Sequence, residues 1–339
     1  MAGVTDAETI RSFQRPLRAL VAGGAGFIGS HLCASLLKSG NEVVCVDNLV
    51  TGRLANLRDI WSDDRFHFIR HDVIQELPEL GSFDRVFHLA SPASPPGYQR
   101  FQVETLRVNS EGTRHLLDLA NTSGGRFLYA STSEAYGDPL EHPQRETYRG
   151  NVSSTGPRSM YDEAKRFGEA LVMAHVRTMD SDARLVRIFN TYGPHSDPLD
   201  GRIVPNFINQ ALAGVPLTVY GDGSQTRSLC YVSDLVDGLI RTMESSATKG
   251  TVVNLGNPEE HTVLEFAQLI IEMTESRSGT VFTEGAVGDD PQRRCPDITK
   301  ANELLGWYPT VALRDGLART VDYFIDEVTP ERTRFAAQA

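Results

Sequence analysis

The 339-residue chain has little of what marks several protein classes. Its four cysteines, Cys33, Cys45, Cys230 and Cys295, are scattered and make no CxxC pair or metal spacing. Nine histidines show neither HxH nor HExxH, so no metal site is expected. No run of 18 apolar residues occurs, so no membrane-spanning helix is expected. The opening MAGVTDAETIRSFQRP lacks the apolar core of a secretion signal. A cytoplasmic protein with reduced, mostly buried thiols is therefore the expectation. Positive charge is also short: 33 Lys+Arg against 44 Asp+Glu gives −11. That balance argues against general affinity for nucleic acid or anionic membranes. It leaves room for a local basic pocket around a phosphorylated ligand. There is no internal repeat or low-complexity tract.

What is present is an alternation of strand and helix signals. Apolar runs at Leu17–Ala22, Glu42–Val46, Phe66–Arg70, Arg85–Leu89, Phe127–Ala130 and Arg184–Ile188 read as strands. Helical patterns follow Ile28, fill a long stretch near Gln99–Ala120, and span Ser159–Val176. Such alternation means parallel strands joined by crossover helices: a doubly wound parallel α/β sheet of the Rossmann type. After Asn190 the segments shorten and Gly and Pro become frequent. The expected organisation is a flexible arm over 1–16 and a dinucleotide-binding domain over 17–189 with return elements near 229–255. A smaller interleaved C-terminal substrate lobe takes 190–228 and 256–330. The loop from Asp138 to Pro157 is long for a compact domain, which favours a functional role.

Gly23, Gly26 and Gly29 form GxxGxxG between the first strand and a helix. One glycine serves the turn, one lets the backbone approach a pyrophosphate, and one lets helix and strand pack closely. The helix start at Phe27 and Ile28 then offers free N–H groups to that pyrophosphate. Asp47, 24 residues after Gly23, ends the second strand, with Asn48 beside it. An acid there hydrogen-bonds the adenosine ribose and repels a 2′-phosphate, so the cofactor expected is NAD rather than NADP. Arg53 nearby is the countersign, since an arginine can host that phosphate. Asp72-Val73 after the third strand is placed beside the adenine, and Leu89-Ala90-Ser91 after the fourth beside the cofactor.

Tyr161 and Lys165 make a YxxxK one helical turn apart. The expected buried side of the helix is Met160, Ala164, Phe167, Leu171 and Ala174, leaving Tyr161 and Lys165 on another face. A phenol with a pKa near 10 is pushed toward phenolate by an ammonium and a nicotinamide cation. It can then take a proton from a sugar hydroxyl as hydride leaves the same carbon. Thr132, at a strand end on the ligand edge of the sheet, completes the group around the reacting oxygen.

Together these residues resemble the extended short-chain dehydrogenase/reductase family and, within it, the UDP-glucuronate decarboxylases. The resemblance covers roughly residues 17–325. It rests on "GGAGFIGSHL", "HLASPASPP", "ASTSEAYGDP", "YDEAKR", "RIFNTYGP", "YGDGSQTRS", "YVSDLVDGL", "NLGNPEEHT" and "DDPQRR". It implies NAD-dependent oxidation of UDP-glucuronate at C4, loss of carbon dioxide from the 4-keto acid, and re-reduction to UDP-xylose. Related dehydratases carry Thr-Asp-Glu where this chain has Thr132-Ser133-Glu134. Ser133 thus removes the acid that would protonate a leaving hydroxyl, and Glu134 remains to handle water or a proton beside C5. Arg227 is implied near the substrate, either on the diphosphate or at the decarboxylation step. Asn190, Tyr98, Val204, Tyr220 and Arg293 are implied in the substrate pocket. The family also implies a homodimer through the helices near Gln99–Ala120 and Ser159–Val176. The chain departs from the family pattern at Arg149, at Ser153-Ser154-Thr155, at His195 and at Cys295, where the family has a basic residue. Three alternatives stay open: a nucleotide-sugar 4-epimerase, a decarboxylase that releases the 4-keto pentose, and a non-catalytic dinucleotide sensor.

Overall fold

A computed structural model describes residues 15–284 and 294–328. Most of the expected arm and the candidate Arg293 lie outside the described residues. Seven strands form the central sheet: β1 (Arg18–Ala22), β2 (Glu42–Asp47), β3 (Phe66–Arg70), β4 (Arg85–His88), β5 (Arg126–Thr132), β6 (Ala183–Ile188) and β7 (Val252–Leu255). All pairings are parallel, in the order β7-β6-β5-β4-β1-β2-β3. The order reverses between β1 and β4. In such sheets ligands bind in the crevice beyond the strand ends at that point.

The apolar runs are continuous because both faces of the sheet are covered. Successive side chains point to opposite faces. Ala19, Val21, Val43, Cys45, Leu128 and Val186 therefore enter one core cluster. Leu20, Ala22, Val44, Val46, Phe127 and Leu185 enter the other. The second cluster packs under the helices Thr113–Ser123 and Ser159–Met179, through Leu116, Leu117 and Val172. The first runs without a break into the C-terminal lobe, through Val204, Phe207, Phe266, Ile270, Trp307 and Leu317. That lobe is built from the helices Ile203–Leu212, Val263–Met273 and Leu313–Tyr323 and three two-stranded pairings.

Two expectations are corrected. The stretch near Gln99–Ala120 is broken at Phe101 and then runs on as a continuous helix over 102–123 with a wide turn inside it. It is Pro95–Arg100, Gln102–Arg107, a wide turn at Val108–Gly112, and Thr113–Ser123. The wide turn coincides with a polar cluster. Asn109 Nδ2 donates to Thr105 O at 2.8 Å and to Ser91 Oγ at 3.0 Å, and Asn109 Oδ1 accepts from the buried Tyr129 hydroxyl at 2.8 Å. Turns of this kind recur at functional sites. The second correction concerns the Ser159–Met179 helix. Its buried residues are Met160, Tyr161, Asp162, Ala164, Lys165, Gly168 and Val172, whereas Phe167 is 52% exposed. The tyrosine and lysine thus lie on the face pressed to the sheet. Gly168 makes that possible, because a Cβ there would sit 2.2 Å from the Tyr129 hydroxyl.

Gly168→Ala tests this packing. On helix propensity alone alanine would gain about 1 kcal/mol. The fixed Tyr129 hydroxyl reverses the sign, and a net loss of about 1–3 kcal/mol is expected in urea unfolding. A neutral or stabilised variant would show that the helix stands off the strand.

Candidate active site

The glycine loop has the geometry that a dinucleotide needs. Gly23 has φ +81°, and a Cβ there would lie 2.6 Å from Ala90 N. A Cβ on Gly29 would lie 2.1 Å from Gly23 O, so only glycine lets the helix start close under the loop. Gly26 is the N-cap of Phe27–Lys38 and makes no side-chain cap, which leaves the first helical N–H groups facing the crevice. Asp47 braces this loop from the end of β2. Its Oδ2 accepts from Ala25 N at 3.0 Å and its Oδ1 from Leu49 N at 2.8 Å. Burial pushes its carboxyl up, against the pull of those two N–H groups. Asn48 Nδ2 donates to Asp72 Oδ2 at 3.1 Å, and Asp72 Oδ1 accepts from Ile74 N, with Val73 buried beside it. Leu89, Ala90 and Ser91 follow β4 next to Gly23. The predicted cofactor residues therefore converge at the β1–β4 switch point. Arg53 reaches Ser196 O at 3.4 Å and Asn56 Oδ1 at 3.5 Å.

Beside this cradle, β5 ends at Thr132 and turns at once into a short 3-10 turn, Ser133–Tyr136. Thr132 caps the turn, its hydroxyl accepting from Glu134 N at 3.2 Å. Ser133 and Glu134 are consequently buried at the strand end. Tyr161 and Lys165 face them from the Ser159–Met179 helix. Lys165 Nζ donates to Ala130 O at 2.8 Å and lies 5.9 Å from the Tyr161 ring centre. Burial pulls the Lys165 ammonium down to about 7, against the Glu169 charge. Burial and then the Glu134 charge hold the Tyr161 phenol above its ordinary range, while Arg202 and the Thr132 hydroxyl oppose them. Tyr98 stacks on Tyr161, ring centres 4.9 Å apart and planes within 12°.

Glu134 holds the centre of the site. Arg158 Nη2 donates to its Oε2, and Arg294 Nη1 donates to its Oε1 at 3.1 Å. Burial alone would raise its carboxyl, but the charges of Arg294 and Arg158 win and bring it down to about 2. The neighbouring Asp162 goes the other way. Burial, then the Glu134 charge, push it up to about 7. Two adjacent carboxyls thus titrate far apart, Glu134 ionised throughout the neutral range and Asp162 changing state within it. Arg158, Asp162 and Arg294 escaped the sequence reading. The signal available was weak: Arg158 just before the helix that carries the tyrosine, and the second arginine of "QRR" rather than the first.

A cleft of about 1290 Å³ opens over this group. Among its walls are the predicted Tyr98, Asn190, Val204, Tyr220 and Arg227, together with Arg158 and Arg202. Arg227 sits on the strand Thr226–Ser228, opposite His261. Arg202 donates to Ala93 O at 2.6 Å. The arrangement can therefore hold an anionic ligand along a basic wall, and two of its lining residues, Tyr98 and Arg158, are in direct contact with Tyr161 and Glu134.

The Asp162–Glu134 pair has a measurable consequence. Because the folded chain holds the Asp162 proton up to about 7 and the unfolded chain releases it near 4, stability is lost as pH rises through that window. Asp162→Asn is expected to stabilise the protein by about 2 kcal/mol at pH 8, with the gain shrinking toward pH 4. Thermal unfolding across that range reads it. A gain that does not vary with pH would mean that Asp162 ionises freely in the fold.

Comparison with known proteins places this geometry. Residues 19–256 match the NAD dependent epimerase/dehydratase family. UDP-glucuronic acid decarboxylase 1 of Danio rerio is 51% identical over 311 residues, which is 92% of this chain and 73% of that protein. UDP-glucuronic acid decarboxylase 1 of Arabidopsis thaliana is 49% identical over 94% of this chain and 72% of its own length. The UDP-glucuronic acid 4-epimerase of Bacillus cereus, solved in complex with UDP-glucuronic acid and NAD, superimposes with a TM-score of 0.82 at 30% identity, covering 91% of this chain and 99% of that one. The chain therefore belongs to the NAD dependent epimerase/dehydratase family and, within it, to the UDP-glucuronic acid decarboxylases.

Proposed function

We propose that this chain converts UDP-glucuronate to UDP-xylose and carbon dioxide, with NAD as a regenerated cofactor. The observation that carries the reading is the Glu134 carboxylate locked between Arg158 and Arg294, one strand-turn from Thr132 and beside Tyr161. A dehydratase needs an acid to protonate a departing hydroxyl. Here Ser133 replaces one acid and Glu134 is held ionised. A carboxylate placed beside the reacting sugar suits handling of water or a proton at C5.

The residues divide the chemistry as follows. Gly23, Gly26, Gly29 and the first N–H groups from Phe27 and Ile28 hold the pyrophosphate, and Asp47 with Asn48 holds the ribose. NAD, when bound, accepts and returns the hydrogen of sugar C4 and adds a positive ring charge beside Tyr161. Tyr161 takes the 4-hydroxyl proton, and Lys165, fixed on Ala130 O, stabilises the phenolate. The resulting 4-keto group stands β to the carboxylate. When the C5–C6 bond breaks, its electron pair becomes the C4–C5 enolate and carbon dioxide leaves. Tyr161, now protonated, and Thr132 donate hydrogen bonds to the enolate oxygen. Glu134 orients the water that protonates C5, and the hydroxide left behind takes up a proton from solvent, so that one proton is consumed for each carbon dioxide released. Arg227, with Asn190 and Tyr220, takes the diphosphate end of the cleft.

The same reading includes a homodimer and a cytoplasmic location. The four cysteines are free and buried, which suits a reducing compartment. Among the described residues, no helix is long and apolar enough to cross a membrane. On the packed helices Gln102–Arg107 and Ser159–Met179, Val103, Leu106 and Phe167 are exposed among the described residues. An apolar patch of that kind marks an interaction surface, and a second copy supplies the matching patch.

Two experiments follow. Purified protein given UDP-glucuronate and NAD is expected to yield equimolar carbon dioxide and UDP-xylose without accumulating NADH. UDP-galacturonate without carbon dioxide would sink the proposal in favour of epimerisation, and a free 4-keto pentose with NADH would indicate early release. In the same assay Tyr161→Phe should lower kcat by roughly a hundredfold or more, with NAD still bound. Separately, Phe167→Glu should halve the mass measured by light scattering. An unchanged mass would place the interface elsewhere.

A further inference from the structure

Outside the active site, three side chains with metal-binding donors meet at one point. His142 lies in the long loop from Asp138 to Pro157, Glu260 on the strand Glu260–Thr262, and Cys295 next to Arg294 in the segment that precedes the helix Thr299–Leu305. Their donor atoms all lie within 4.8 Å of one another, and His142 Nε2 is 3.0 Å from Glu260 Oε2. Ligand atoms around a tetrahedral Zn²⁺ stand roughly 3.3–3.8 Å apart, given bonds of about 2.0 Å to N and O and 2.3 Å to S. We propose that His142, Glu260 and Cys295 form a binding site for a divalent transition-metal cation of the Zn²⁺ class, which fastens the long loop to the substrate lobe.

The scaffold holds two of the three donors in place before any cation arrives. Gln144 N donates to Cys295 O at 2.8 Å, Cys295 N donates to Gln144 Oε1 at 2.9 Å, and Asp297 N donates to Gln144 O at 2.8 Å. These bonds tie the loop two residues beyond His142 to the backbone of Cys295. Glu260 is oriented from behind, since its Oε1 accepts from Thr226 Oγ1 at 2.6 Å and its Oε2 is turned to His142. A ligating carboxylate is typically fixed by such an outer hydrogen bond. The charges also balance: a neutral imidazole, a carboxylate and a thiolate neutralise a dication.

The thiol decides between a metal site and a plain His142–Glu260 ion pair. Such a pair needs no cysteine. Cys295 Sγ now donates to Pro258 O at 3.3 Å, and burial, then Glu260, push the thiol up to about 11. Binding therefore releases the thiol proton to solvent, and affinity strengthens with rising pH. Three protein ligands leave the fourth position to water. Glu260 also lines the substrate cleft, so an occupied site sits at the rim of the pocket. The histidine and the carboxylate are 118 residues apart in the chain, which is why spacing along the sequence concealed them.

The test uses the full-length, tag-free chain with NAD, stripped of metal by a chelator that is then removed. Co²⁺ serves as the spectroscopic probe and Zn²⁺ as competitor. One equivalent of Co²⁺ is expected to give a near-ultraviolet thiolate-to-cobalt band, which Zn²⁺ abolishes. Saturating Zn²⁺ should raise the unfolding midpoint by about 4 °C. Cys295→Ser should remove the band while melting, metal-free, like the parent. His142→Ala, at an exposed position that the fold does not need, should weaken Co²⁺ binding roughly tenfold or more. The proposal is overturned if no band forms at one equivalent, if the band survives in Cys295→Ser, or if His142→Ala binds as the parent does.

Discussion

The site depends on one buried carboxylate between two guanidinium groups. Glu134, Arg158 and Arg294 come from three segments: the turn after β5, the residue before the Ser159–Met179 helix, and the stretch before Cys295. Any one of these charges buried alone would be costly, so the three segments are bound to one another. The pairing keeps Glu134 ionised, while burial and then the Glu134 charge push Asp162 up to about 7 against the pull of the two arginines. It therefore sets both the position and the protonation state of the groups beside Tyr161.

Two glycines extend this control to the cofactor side. Gly29 admits the Phe27–Lys38 helix close under the loop, and Gly168 admits the tyrosine helix close to β5. Both put a functional element, free N–H groups in one case and the Tyr161–Lys165 pair in the other, nearer the sheet than any side chain would permit. Asp47 serves the same end from β2, since its carboxylate braces Ala25 of the glycine loop as well as standing at the strand tip. Cofactor and catalytic residues thus share one rigid support.

Much of this was legible in the sequence. Parallel strands buried on both faces write themselves as continuous apolar runs, and six of the seven strands were read to within a residue or two, Val252–Leu255 being placed only among the return elements near 229–255. Residues whose function follows from local pattern, such as Gly23, Gly29, Asp47, Tyr161 and Lys165, stood out for the same reason. Arg158 and Arg294 did not, because their meaning comes from a partner more than twenty residues away in one case and 160 in the other. The helix near Gln99–Ala120 was read as continuous because its periodicity survives the break at Phe101, while the wide turn at Val108–Gly112 accompanies Asn109, which bonds to Tyr129 on β5. Phe167 was assigned to the interior because it is large and apolar. Its exposure follows from its place on the outer side of that helix, away from the residues pressed to the sheet.

One face of the sheet and the smaller lobe are filled by a single uninterrupted body of side chains, from Val21 through Phe207 to Leu317. Two halves joined that way have no hinge between them. Opening the nucleotide-sugar groove by moving one half against the other would disrupt that shared core, so its width is set by the side chains on its walls. Exchange of one sugar for another in evolution has to proceed by repainting the groove walls, because the lobe cannot be traded as a module without tearing the interior apart.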